Sequence, residues 1–298
     1  MGKAARDMLT QGRGGKVLAV VNHATYLLTE RGELIWLANG ESPMHRRCIL
    51  LPARLPTLTV GSAFRSGERW ISLESGTKLD FRISEVWEAP AVPVQDVIEL
   101  DVLPDKLITV VEAFLSQESP LGFGSFVRSI LQIAKKEKVY PSFQPEDVLT
   151  KTAWPVAEKI ARACLARNLL KVLKKAEPLV GLGEGLTPAG DDFLGGLFFA
   201  RDLLLSAFPY LIPMEIPNLH EWIDAGMHRT NLISFTLLRD NIAGHALEPL
   251  NRFGIALLTN QPAEKNISVA TELIKVGHST GWSLLAGFVT GMLLAFQK

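Results

Sequence analysis

The sequence predicts an α+β protein, with an N-terminal β-rich domain of barrel-like or sandwich form followed by a mostly α-helical domain. Three observations predict it. Short apolar runs joined by turn residues fill the first hundred positions. Helical spacing of apolar residues takes over after Leu103-Pro104-Asp105. Hydrophobic residues make up 47% of the 298, enough for a large core. We place the boundary there, giving a β-rich domain over residues 1–103 and a helical one over 104–298.

In the first part, KVLAVVN, TYLLT and LIWLA read as strands, and ERGE before LIWLA marks a hairpin. RWISLESG and TKLDFRIS form a second hairpin through Ser75-Gly76, with prolines at 43, 52, 56, 90 and 93 in the loops. In the second part, KLITVVEAFLSQ, SFVRSILQIAKKEK and WPVAEKIARACLARNLLKVLKKA carry apolar residues every three or four positions. The Lys and Arg of the third, among them Lys159, Arg162, Lys174 and Lys175, read as a solvated face.

Composition narrows the function. Lys+Arg and Asp+Glu both number 31, so the basic excess of a general nucleic-acid binder is missing. Cys48 and Cys164 form no C-x-x-C, and Cys164 falls in a helical pattern that makes it core. The first residues lack the apolar segment of a signal peptide, which points to the cytoplasm. Neither apolar run reads as a membrane span: FLGGLFFARDLLLSAF is broken by Arg201 and Asp202, and WSLLAGFVTGMLLAFQ is short. Gly287 and Gly291 in the latter have the G-x-x-x-G spacing that lets helices approach closely.

The chemistry-bearing stretch is GLGEGLTPAGDDFLGG, beginning at Gly181. It is neither a Walker loop, since no Lys follows the glycines, nor a dinucleotide loop, since Leu186 takes the last glycine position. Thr187 as N-cap and Pro188 as first helical residue predict a helix start. Gly183, Gly185 and Gly190 let the backbone turn sharply and come close to a ligand. A glycine-rich lead into a helix N-terminus is a general anion site. Asp191 and Asp192 point about 100° apart on a helix, so they need not serve one purpose. One could bond loop amides while the other holds a divalent cation such as Mg²⁺; equally, both could simply favour the positive helix end. A second lead-in, VGHSTGWSLLAG, offers Gly277, His278, Ser279, Thr280 and Gly281 before an apolar helix, with either hydroxyl as cap. Thr230 and Ser234, four apart on an expected helix, read as packing residues. His220 and His228 lack the spacing of a helical metal pair, and no G-x-S-x-G elbow supports a hydrolase triad.

Together, GLGEGLTPAGDDFLGG and, about ninety residues later, GHSTGWSLLAG resemble the bacterial family that contains the AllH-type subunit of oxamate carbamoyltransferase. The matching positions are Gly183, Gly185, Thr187, Pro188, Gly190, Asp191 and Asp192, then Gly277, His278, Ser279 and Gly281. Ala189 stands where serine is frequent, and Thr280-Gly281-Trp282 where Ser-Gly and a polar residue are frequent. The resemblance covers mainly residues 105–298. It implies a role in purine (allantoin) catabolism, with carbamoyl transfer between phosphate and oxamate, and partner subunits in the active assembly. A non-catalytic scaffold and a sensor of a small anionic purine breakdown product are the competing readings.

Overall fold

The computed structural model describes residues 1–11, 14–52, 55–82, 84–137, 147–211 and 218–296. Ile83 and Lys138, the one near and the other at the end of two predicted runs, lie outside them. The chain divides into two compact units, Met1–Pro90 and Ala91–Lys298.

The first unit opens with a helix that the sequence reading did not anticipate, α1 (Lys3–Gln11), which buries Ala5 and Leu9 one turn apart. Seven strands follow: β1 (Gly15–Val21), β2 (Ala24–Thr29), β3 (Leu34–Asn39), β4 (Cys48–Leu51), β5 (Ala63–Gly67), β6 (Trp70–Leu73) and β7 (Lys78–Asp80). They make one curled sheet in the order β4-β3-β2-β1-β5-β6-β7, a half-barrel. All pairings are antiparallel except β3 with β4. Both expected hairpins form, with Tyr26 opposite Trp36 and Ile71 opposite Leu79. Val17, Leu27, Ile35, Phe64, Ile71 and Phe81 lead its core.

The second unit is helical: α2 (Leu103–Leu115), α3 (Val127–Ala134), α4 (Val148–Leu165), α5 (Leu169–Ala176), α6 (Ala189–Ala207), α7 (Leu219–Gly226), α8 (Leu232–Ile242), α9 (Glu248–Leu258), α10 (Ala263–Ile274) and α11 (Thr280–Met292). A 3-10 turn, Gly122–Phe126, leads into α3. One expectation is corrected. The run from Trp154 to Ala176 is two helices, because Arg167 takes the left-handed conformation (φ 51) and Asn168 caps α5 by accepting from the Lys171 amide. The helix expected to carry both Thr230 and Ser234 carries only Ser234: Thr230 is extended (φ −130, ψ 176), and Asn231 is the cap of α8.

At the centre lie α6 and α11. Every residue of α11 from Gly281 to Met292 is buried, as are nearly all of α6 through Leu204. The G-x-x-x-G pair makes this possible. A Cβ on Gly287 would strike the Phe193 carbonyl, and one on Gly291 the Leu197 carbonyl. Gly196 returns the contact, facing the Leu284 carbonyl and the Phe288 amide. Contacts therefore advance in the same direction along both helices, from 193 and 287 to 197 and 291, so the two run parallel with backbones touching. Among the described residues no helix is long and apolar enough to cross a membrane.

Candidate functional site at two helix starts

Helix α6 begins at Ala189 with Pro188 as its cap residue, one position later than predicted. Proline has no side-chain acceptor, so no side chain caps the helix. The threonine expected to do so turns away: Thr187 Oγ1 lies 3.2 Å from Thr280 Oγ1, the first residue of α11. Before it the chain curls through Gly183 (φ 121) and Gly185 (φ 90), conformations that favour glycine. The amides of Gly183, Glu184, Gly185, Leu186 and Thr187 meet no acceptor among the described residues. Gly190, by contrast, is a packing residue: its amide donates to the Leu182 carbonyl (2.8 Å), and a Cβ there would strike the Leu179 carbonyl.

The two aspartates diverge as their 100° separation allows. Asp191, 3% exposed, is a fastener. Its Oδ1 accepts from the Gly181 amide (2.7 Å); its Oδ2 accepts from Ser234 Oγ (2.7 Å) and Thr230 Oγ1. Asn231 Nδ2 adds a bond to the Leu186 carbonyl (3.0 Å). The glycine loop is thereby tied to the start of α8 at both of its ends. Thr230 and Ser234, read from sequence as packing residues, are the anchors of this tie.

Asp192 makes none of these bonds and lies on the side of α6 nearer Thr280 of α11. It is 8% exposed. Burial pushes it well above the usual carboxylate range; the Thr280 and Thr187 hydroxyls oppose this, and the charge of Asp191 adds to it. A cation on Asp191 would have to displace donors already bound. Among the described residues, no group of three or more His, Cys, Asp or Glu side chains gathers to hold a metal.

The second lead-in has the same character. Gly277 (φ 60) makes the turn, and the Gly281 amide donates to the Val276 carbonyl (2.9 Å). Gly281 also packs on the Leu273 carbonyl, where a Cβ would not fit. Ser279 occupies the cap position of α11 yet makes no capping bond, whereas Asp147, Asn168, Asn218 and Asn231 all cap their helices. His278 is exposed. A third segment, missed from sequence, joins them. Gly122 (φ 51) would place a Cβ 3.4 Å from Ser279 Cβ, and Gly124 packs on the Trp282 ring. Its only signal was the pair of glycines in LGFGSF.

Two parallel helices thus begin side by side, with Thr187 and Thr280 joining them. The positive ends of their dipoles fall together, a placement each helix would relieve by taking an anion. The structure brings Thr187, Asp192, Ser279 and Thr280 close to this junction. It assigns Asp191, Gly190 and Gly281 to fastening and packing, and leaves His278 at the surface.

No solved structure matches the chain. Residues 179–292 match the family model described as oxamate carbamoyltransferase subunit AllH, a span that holds both glycine-bearing lead-ins and the two helices they begin, and the match supports the resemblance that those motifs carry.

Proposed function

We propose that the chain is a subunit of a carbamoyltransferase of the oxamate/oxalurate type, acting in purine catabolism and supplying the site where an anionic substrate is held. One observation carries this reading: two helices start beside each other, uncapped by side chains, next to a run of five amides with no acceptor among the described residues. Carbamoyl phosphate, oxamate and oxalurate are all anions. Preset amide donors at a helix start suit both a phosphate and the charge that develops on a carbonyl oxygen during carbamoyl transfer. With equal numbers of acidic and basic residues, the chain supports anion binding through local dipoles rather than net charge.

Glycine does two jobs in such a site: it opens the turn at Gly183 and Gly185, and it leaves the amides unshielded. Thr187, Ser279 and Thr280 add hydroxyl donors. Asp191 shapes the loop from behind without touching the ligand. The decisive experiment measures binding of oxalurate and of carbamoyl phosphate to the purified chain. Phosphorolysis of oxalurate is then assayed with the chain alone and with candidate partner subunits. Binding that Gly185→Val or Ser279→Ala weakens at least about tenfold, one decade in affinity, supports the reading. Ligand affinity that neither substitution changes would leave the lead-ins as helix starts in a non-catalytic scaffold.

A further inference from the structure

We propose that the paired helix starts hold two anionic groups at once, a phosphate on the glycine loop before α6 and a carboxylate at the start of α11, with Ser283 as a hydroxyl donor to the carboxylate. This rests on the anion-site reading above and divides that site in two.

The two helices are local equivalents. A single sequence shift carries Gly196 to Gly287, Phe193 to Leu284 and Leu197 to Phe288. The packing obeys it. A Cβ on Gly196 would strike the Leu284 carbonyl and the Phe288 amide, and one on Gly287 the Phe193 carbonyl and the Leu197 amide. The same shift carries Gly190 to Gly281, each packed on a carbonyl of the segment before it, Leu179 or Leu273. It also carries Pro188, the cap residue of α6, to Ser279, the cap residue of α11. Parallel helices matched in this way are related by a two-fold axis along their length. Their starts stand at one level, and each presents its own positive end.

Equivalent in place, the starts differ in chemistry. The lead-in to α6 offers the open amides of Gly183 to Thr187. Such a run suits a phosphate, whose several oxygens take several donors. The first turn of α6 then carries Asp192, whose carboxyl keeps an anion on the loop ahead of the helix. In α11 the equivalent position is Ser283. There the Thr280 and Trp282 amides meet no acceptor among the described residues, and Ser279 makes no capping bond. Two amides and two hydroxyls match the two oxygens of a carboxylate.

Ser283 points to a ligand independently of the amides. It is fully buried, and its Oγ meets no partner among the described residues. Gly287, one turn on, lies against α6, so Ser283 is on the α6-facing side of α11. Helix side chains lean towards the N-terminus, which aims this hydroxyl at the junction of the two starts. Buried hydroxyls are seldom left without a partner, and a carboxylate at the start of α11 supplies the acceptor. Two anions side by side are what carbamoyl transfer requires. The amide nitrogen of oxamate attacks the carbamoyl carbon of carbamoyl phosphate and a C–N bond forms. The C–O bond to phosphate breaks with its electron pair, and the departing phosphate takes the proton that the nitrogen releases.

Titration calorimetry with sulfate, standing in for phosphate, and with oxamate tests this, each alone and each with the other saturating. One of each should bind per chain, and neither should displace the other. Ser283→Ala should weaken oxamate at least about tenfold, as loss of a hydroxyl donor to a charged group does, and leave sulfate unchanged; Gly185→Val should do the reverse. Ser283→Ala removes one oxygen from a buried position, and thermal unfolding checks that the fold persists. The displacement measurement needs no variant. Mutual displacement, or binding of only one of the two anions, overturns the paired subsites and leaves a single anion site standing. Oxamate affinity unchanged in Ser283→Ala overturns the carboxylate subsite and makes Ser283 a packing residue. If neither anion binds, the anion-site reading itself falls, and the two subsites with it.

Discussion

Replacing Gly287 by alanine tests the packing on which the site depends. In an ordinary helix interior the change would stabilise by about 1 kcal/mol, because glycine is the poorer helix former. Here the new methyl would meet the Phe193 carbonyl and stand close to the Leu197 amide, both main-chain atoms of α6 that cannot swing aside. Inserting a methyl into a filled core costs typically about 1–3 kcal/mol, and a rigid neighbour places this case towards the upper end. The net expectation is a loss of about 1–2 kcal/mol, or roughly 2–8 °C in Tm for a unit of this size. Gly226→Ala is the control. It lies at the end of α7 with a Cβ only in ordinary contact, 3.7 Å from Val180 Cγ1. It should be neutral or slightly stabilising. Denaturant titration of both variants decides the matter. A Gly287→Ala protein as stable as wild type would refute the close parallel pair.

Three further outcomes follow from the buried polar groups. Asp191→Ala removes the acceptor for an amide and two hydroxyls, and at about 1–3 kcal/mol per orphaned donor, softened by hydroxyl rotation, should cost roughly 2–4 kcal/mol in denaturant unfolding. Asp192 has the opposite pH signature from a salt-bridged carboxylate: its folded pKa lies above its unfolded one, so the folded state binds the extra proton and stability falls as pH rises between the two. Asp192→Asn should therefore gain in Tm relative to wild type as pH rises above the unfolded carboxylate range, and a constant difference from pH 4 to 9 would contradict this. Both cysteines are fully buried, with the Cys48 thiol pushed up to about 12 and Cys164 higher still. Neither should react with a thiol reagent at pH 8 until denaturant is added, and rapid labelling of the native chain would show the burial to be wrong.

Much of the fold was legible because it follows from local periodicity. KVLAVVN, TYLLT and LIWLA carry the strand pattern within themselves, and the helical spacing after residue 103 needs no tertiary information. The features that were not legible depend on partners far along the chain. The break at Arg167 leaves the apolar spacing of LARNLLK intact, so only the cap type of Asn168 hinted at it. The strand Cys48–Leu51 is four residues long and pairs in parallel, and Ala63–Gly67 is half polar. At the candidate site the residue types were readable but not their division of labour. That Asp191 fastens while Asp192 lies nearer α11 is settled by Thr230, Ser234 and Thr280, which lie about forty and ninety positions away. Thr187 was read as a cap because sequence shows the next helix, not the neighbouring one.

The parallel pairing of α6 with α11 has a consequence for how the chain acquires its site. Phe193 and Gly287 touch across 94 steps of sequence, with α7 to α10 lying between them. Closing so long a loop spends chain entropy before any contact repays it, which makes this a late event in folding. During synthesis the first lead-in would emerge with its amides open and nothing beside them. Only when α11 has left the ribosome can Thr280 meet Thr187 and the two helix starts stand together. The candidate site is therefore a product of the completed helical unit, and a nascent chain stopped before α11 would carry the conspicuous motif without the place it is meant to form.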